Sequence, residues 1–227
     1  LLLTTGTHPL VCSELSLFDQ EQQLANHIEQ KKKQLSITQN QLRLLFDKGL
    51  VKLYYKDIEL TKQSGLSSAF SYQGKWYEST QAIWQVERPG PEEITATACW
   101  PELPLKQTWS FILKDNQIDW QIDLDAEEKI ELNDLQARLY LRDNYKSWVN
   151  LYGGGLLPKL FPWQPEAGLE IEQASSLLGL NLAQTKTGLL PAMFIQPSAA
   201  QLLDTTSIRV TRDPQDKSPR LEVLLHT

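Results

Sequence analysis

The stretch QTWSFILKDNQIDWQIDLD, residues 107–125, alternates apolar and polar side chains with a period of two on both sides of a short turn. Trp109, Phe111 and Leu113 alternate with Thr108, Ser110 and Ile112. After Asp115-Asn116-Gln117, the residues Ile118, Trp120, Ile122 and Leu124 alternate with Asp119, Gln121, Asp123 and Asp125. A strand sorts such a pattern onto two faces, whereas a helix would smear it around its circumference. The pair predicts an antiparallel hairpin with one buried and one wet face, and it places Trp109 and Trp120 in the core.

The same rhythm extends over most of the chain. ITQNQLRLLF runs to a turn at Asp47-Lys48-Gly49, LVKLYY follows as far as Lys56-Asp57, and IEL leads into the polar stretch TKQSGLSS. SYQGKWYESTQAIWQVE stops at RPGPEE, whose Pro-Gly-Pro is a strong breaker, and ITATACW precedes Pro101 and Pro104. KIELNDLQARLYL continues through Ile130 and Leu132, with a change of phase at Asn133-Asp134 that reads as a bulge or turn. YGGGLLPKLFPWQPEAG reads as irregular, with Gly153-Gly154-Gly155 as a flexible or tightly turning loop and a ligand-approach loop as the alternative. LEIEQASSLLGLNL, AMFIQPS, SIRVTR and RLEVLLHT then return to short apolar runs bounded by turn residues. Roughly a dozen short strands predict a mainly β chain, a large antiparallel β-sandwich or supersandwich. One helix is expected ahead of them: Leu17, Phe18, Leu24, Ala25, Ile28 and Leu35 recur at helical spacing, with Ser16 as N-cap. The expected organisation is an N-terminal appendage over residues 1–35 and a sandwich over residues 36–227.

Charge and composition exclude several functions. A net charge of −6 speaks against a surface that tracks phosphates, so nucleic acid is not an expected partner, and Lys31-Lys32-Lys33 reads as a solvated helix end. No apolar run approaches the ~18 residues of a membrane-crossing helix, so no membrane partner is expected. The opening Leu1-Leu2-Leu3 lacks a basic flank and reads as a processed chain or a piece of a longer one. The compartment stays open, with the cytoplasm favoured. Cys12 and Cys99 lie far apart without metal-ligand spacing, so no disulfide framework is expected. The histidines, His8, His27 and His226, form no paired ligand motif, and no metal or other cofactor is expected. There is no nucleophile elbow, phosphate loop or dinucleotide fingerprint. Asp119, Asp123 and Asp125 share one strand face. They read as its solvated side, with paired-carboxylate hydrolysis or lyase chemistry (Glu78 included) and calcium ligation as the alternatives.

What remains is a wealth of rings, seven Trp and seven Tyr. Of Trp76, Tyr77, Trp84, Trp100, Tyr145, Trp148 and Trp163, most sit at strand ends or beside Gly, Pro or charged residues, where sandwiches present ligands. A flat ring stacks on the C–H face of a sugar while nearby carboxylates, amides or guanidinium groups bond its hydroxyls. The same rings could close the sandwich ends as packing plugs, so both readings stay open.

The run GKWYESTQAIWQVE…ITATACWPELPLKQTWSFILKDNQIDWQIDLDAEEKIEL resembles the large sandwich of the galactose mutarotase-like superfamily. The resemblance lies in strand rhythm and Trp placement over residues 36–227. It implies a carbohydrate-related role, as in accessory domains of glycoside hydrolases and polysaccharide deacetylase-like proteins. The mutarotases share two catalytic histidines and a glutamate, whereas this chain has no histidine between His27 and His226; their chemistry is not carried over. The expectation is therefore a non-catalytic module that binds or positions a glycan for a catalytic domain. Its ligand-binding residues would come from Trp76, Tyr77, Glu78, Trp100, Asp143, Tyr145, Trp148 and Trp163. An interaction module with no small ligand is the remaining alternative, and the oligomeric state is left open.

Overall fold

The computed structural model describes residues 35–126, 129–142, 144–149, 154–156, 169–171, 180–184, 190–195, 206–212 and 219–225. The chain divides into two units, Leu1–Gln34 and Leu35–Thr227, and every described residue belongs to the second. The expected N-terminal helix, but for its last residue Leu35, lies outside the described residues.

The second unit begins as a meander of β1 (Ser36–Gln39), β2 (Leu42–Asp47) and β3 (Leu50–Tyr55), followed by the short β4 (Ile58–Glu59) and the long β5 (Thr61–Tyr72). Next come β6 (Lys75–Glu78), a 3-10 turn at Ser79–Gln81, β7 (Ile83–Gly90), β8 (Glu93–Cys99), β9 (Leu105–Lys114) and β10 (Gln117–Ala126). The remaining strands are β11 (Asp134–Leu141), β12 (Tyr145–Val149), β13 (Gly154–Leu156), β14 (Leu169–Ile171), β15 (Leu180–Gln184), β16 (Met193–Ile195), β17 (Thr206–Arg212) and β18 (Pro219–Leu225). They form a large sheet in the order β1-β2-β3-β5-β11-β18-β17-β14, with β4 on β3 and β6 on β5. Two four-stranded sheets accompany it, β10-β9-β8-β7 and β13-β12-β15-β16.

Turn chemistry fixes the registers. Lys48-Gly49, Lys56-Asp57, Gln73-Gly74 and Asp115-Asn116 each join two paired strands with both residues at positive φ. That is the signature of the two-residue turn whose twist matches the twist of its strands. Gly49 is required for a second reason: a Cβ there would lie 2.2 Å from the Ser79 carbonyl oxygen. The hairpin tip and the 3-10 turn thus touch backbone to backbone, and the Ser79 hydroxyl donates to the Gly49 carbonyl at 2.7 Å.

The expected hairpin is β9–β10, paired without interruption from Lys114↔Gln117 to Leu105↔Ala126. The polar stretch TKQSGLSS forms the first two-thirds of β5. Its serines are tolerated in the interior because Ser68 donates to the Gln107 amide oxygen at 2.8 Å, and the Ser68 backbone N–H meets the Ser79 hydroxyl at 3.1 Å. Gly154–Leu156, read as part of a loop, is strand β13 against β12. Around Asn133-Asp134 the strand restarts: Ile130 and Leu132 lie outside any strand yet pack on the core.

The large sheet and the β7–β10 sheet meet over one continuous apolar cluster. Ile37, Leu44, Phe46, Val51 and Leu53 from the first meet Ile94, Ala96, Trp109, Phe111 and Leu113 from the second. Trp109 is 0% exposed and has the rings of Phe46, Trp84, Phe111 and Trp120 at centroid distances of 6.1, 4.6, 6.0 and 5.1 Å. A smaller cluster joins Phe70 and Tyr77 to Ala98, Trp100 and Leu105. Tyr145, on β12, is buried in the main cluster and donates its hydroxyl to the Pro191 carbonyl at 3.0 Å.

Two outcomes follow from this core. Trp109→Ala should lower the unfolding free energy by about 3–5 kcal/mol, the cost of deleting a fully buried large ring, as measured by urea denaturation; a loss below about 1 kcal/mol would contradict the packing. Burial pushes the Tyr145 pKa up to about 12, against about 10 for an unfolded tyrosine. The raised value means that its stabilising contribution is complete below pH ~10 and is lost as the pH rises towards ~12. Tyrosinate absorbance should show one late-ionising tyrosine, absent in Tyr145→Phe; all tyrosines titrating together would contradict this burial.

Candidate functional site

The rings singled out in the sequence separate into two populations. Tyr77 is 6% exposed, stacked on Phe70 at 5.5 Å and 14° between planes. Trp100 is 2% exposed and meets Phe70 edge-on at 4.9 Å. Tyr145 is fully buried. Trp84 is wedged between Phe46 and Trp109, and its indole N–H donates to the Ser79 carbonyl at 2.7 Å. Trp148 is half-buried against the main cluster. These rings fill space between sheets, and the first three have no face left for a ligand. Asp143 and Trp163 lie outside the described residues.

Trp76 differs from all of them, with 42% of its surface exposed. The reason is the period of two within Lys75–Glu78: Tyr77 turns into the core, so Trp76 and Glu78 face the other way. Strand pairing then fixes their company. Trp76 stands opposite Ser71 of β5, which stands opposite Asp134 of β11; Glu78 likewise aligns with Ala69 and Gln136. Arg138 follows two residues along, opposite Ser67. The outward-facing side chains of β5 are thus small, and larger ones flank them on β6 and β11.

Arg138 ties the strip together. Its Nη1 reaches Glu78 Oε1 at 3.1 Å, while Nε and Nη2 both donate to Gln136 Oε1 at 2.9 and 2.7 Å. The guanidinium carbon lies 5.7 Å from the centre of the Trp76 ring, within range of a cation–π contact. The Arg138 side chain is only 17% exposed against 49% for Glu78, so the guanidinium is held while the carboxylate remains reachable. The strip therefore offers an apolar ring beside fixed donors and acceptors. Arg138 and Gln136 escaped the sequence reading because, in LQARLYL, attention fell on the apolar positions; their alternation with Leu135, Ala137 and Leu139 was the available signal.

The carboxylate row is arranged differently. Asp123 and Asp125 are exposed on β10, and Asp123 accepts both 2.9 and 3.0 Å bonds from the Gln121 amide; Asp119 pairs with the Gln117 amide. Among the described residues, no group of three or more His, Cys, Asp or Glu side chains is drawn together as a metal site.

No family model matches the chain, and no curated protein does. Among solved structures, it is similar to the GH36 alpha-galactosidase AgaB from Geobacillus stearothermophilus, with 8% identity and a TM-score of 0.47. That similarity covers 86% of this chain and 38% of the galactosidase chain, well under two thirds of the latter. It does not single out the galactose mutarotase-like superfamily. The described residues form a mainly β architecture of antiparallel sheets.

Proposed function

We propose that this chain is a non-catalytic, carbohydrate-associated sandwich module that holds a glycan for a catalytic domain, on the strip formed by β6, β5 and β11. The observation that carries the reading is the exposure of Trp76 beside a fixed Glu78–Arg138–Gln136 network, while the other described Trp side chains are half-buried or buried. A protein normally turns a Trp inward, and an outward one flanked by directional polar groups suits a ligand with one apolar and one hydroxylated aspect. A pyranose has both. The charged partners bond more strongly than neutral ones and are already oriented, so little side-chain freedom would be lost on binding.

Glu78 is held in an ion pair with Arg138, which suits a fixed hydrogen-bond acceptor for a bound ligand, and the module is read as binding. Within the strip the reading rests on Trp76 and Glu78, joined by Gln136 and Arg138.

Intrinsic fluorescence during titration with α- and β-glucans, mannans and N-acetylated oligosaccharides tests the proposal. A saturable shift with one class is expected, lost in Trp76→Ala, weakened in Arg138→Gln and retained in Trp148→Ala. The folded state of each variant is checked by circular dichroism. No shift with any class, or the same shift in folded Trp76→Ala, would overturn it.

A further inference from the structure

A second concavity lies where the large sheet opens between β3 and β5. β5 pairs with β3 only at Val51↔Leu66, because its first residues bulge: Gln63 and Gly65 have φ of 49° and 61°. A Cβ on Gly65 would sit 2.0 Å from the Val51 carbonyl oxygen, so the bulge depends on glycine at this point. The opening is a cavity of about 290 Å3 lined by the cations Lys52, Lys62 and Arg142, the carboxylate of Glu59, and the amides of Gln63 and Asn144.

Part of this lining is already fixed. Glu59 Oε1 accepts from Lys52 Nζ at 3.0 Å and from the Thr61 hydroxyl at 3.1 Å. Thr61 Oγ1 in turn accepts the Leu53 backbone N–H at 3.2 Å. Both members of the Lys52–Glu59 pair are about three-quarters buried, with side-chain exposures of 28% and 26%. Three cations and one carboxylate line the cavity, in a chain whose net charge is −6. A concave patch opposite in sign to the whole molecule concentrates anions locally.

The mixture narrows the ligand. The exposed Arg142 guanidinium would exchange water for an anion's charge, and the Glu59 carboxylate favours an anion that also carries hydroxyl donors. A hydroxylated anion satisfies both, because its hydroxyls donate to Glu59 and bond the amides while its charge faces the cations. The volume is at the small end for ligand sites, the scale of one sugar ring.

We propose that this cavity is a binding site for a small hydroxylated anion, a sugar acid or a sugar phosphate, with Arg142 as its principal charge partner. The site is independent of the Trp76 strip.

Isothermal titration of the full chain at low ionic strength, with glucuronate, glucose 6-phosphate, glucose and inorganic phosphate as probes, decides the matter. Saturable heat is expected with glucuronate or glucose 6-phosphate, and which of the two responds identifies the carboxylate or the phosphate source. Arg142→Gln should weaken that binding roughly tenfold, the range of one charge-assisted hydrogen bond. Added salt should weaken it too, and Trp76→Ala should leave it unchanged. Arg142 is exposed, so its replacement should leave the circular dichroism spectrum intact. The proposal is overturned if neither anion binds, if glucose binds the Trp76→Ala chain as well as they do, or if Arg142→Gln binds at full strength. Inorganic phosphate matching glucose 6-phosphate would also overturn it, leaving a bare anion site.

Discussion

The described sheets lean on the burial of Trp109 between two of them. Its ring contacts aromatic side chains from β2, β7, β9 and β10, so it joins residues far apart in the chain into one cluster. Edge-to-face pairs of this kind add about 0.5–1.5 kcal/mol each beyond the area they bury. The indole N–H groups of Trp100, Trp109 and Trp120 find no acceptor among the described residues, and these rings are held by packing alone. The polar tie between the sheets comes from Ser68 and Gln107, whose 2.8 Å bond crosses the interior close to the smaller cluster. With the sheets clamped in this way, the strands of the large sheet cannot slip without turning their apolar faces to water.

That constraint is what exposes Trp76. Phe70 and Tyr77 stack inside, and β6 is anchored to β5 through the Gln73-Gly74 turn. A strand of four residues whose Tyr must point inward has no choice about its Trp. The cost of the exposed ring is offset in part by the guanidinium of Arg138, itself fixed by Gln136 and Glu78. Core packing and the candidate site are thus one arrangement seen from two sides of the same sheet.

The sequence reading succeeded where alternation and turn chemistry coincide. The β9–β10 hairpin was legible because Trp109, Phe111 and Leu113 sit in phase with Ile118 to Leu124 across Asp115-Asn116. It was silent where burial is achieved without apolar side chains, as in β5, whose Ser67, Ser68 and Ser71 are buried and whose Gly65 permits a bulge. For rings such as Trp100, before Pro101, and Tyr145, after Asn144, it left rim and packing both open, because their surroundings come from strands distant in sequence. Arg138 lies 60 residues from Glu78, and only strand pairing makes them partners. Local pattern reveals which face a residue takes, while the identity of what lies opposite belongs to topology.

The central claim is that, among the described Trp side chains, Trp76 alone is turned outward while Trp100 and Trp109 are sealed in the core. Nuclear magnetic resonance of the indole N–H groups tests it most directly, because each Trp gives its own signal. In deuterated solvent the Trp100 and Trp109 signals should persist while the Trp76 signal vanishes at once, and a bound glycan should shift the Trp76 resonance alone among these three. Rapid exchange at Trp109, or protection of Trp76 in the free protein, would contradict the account.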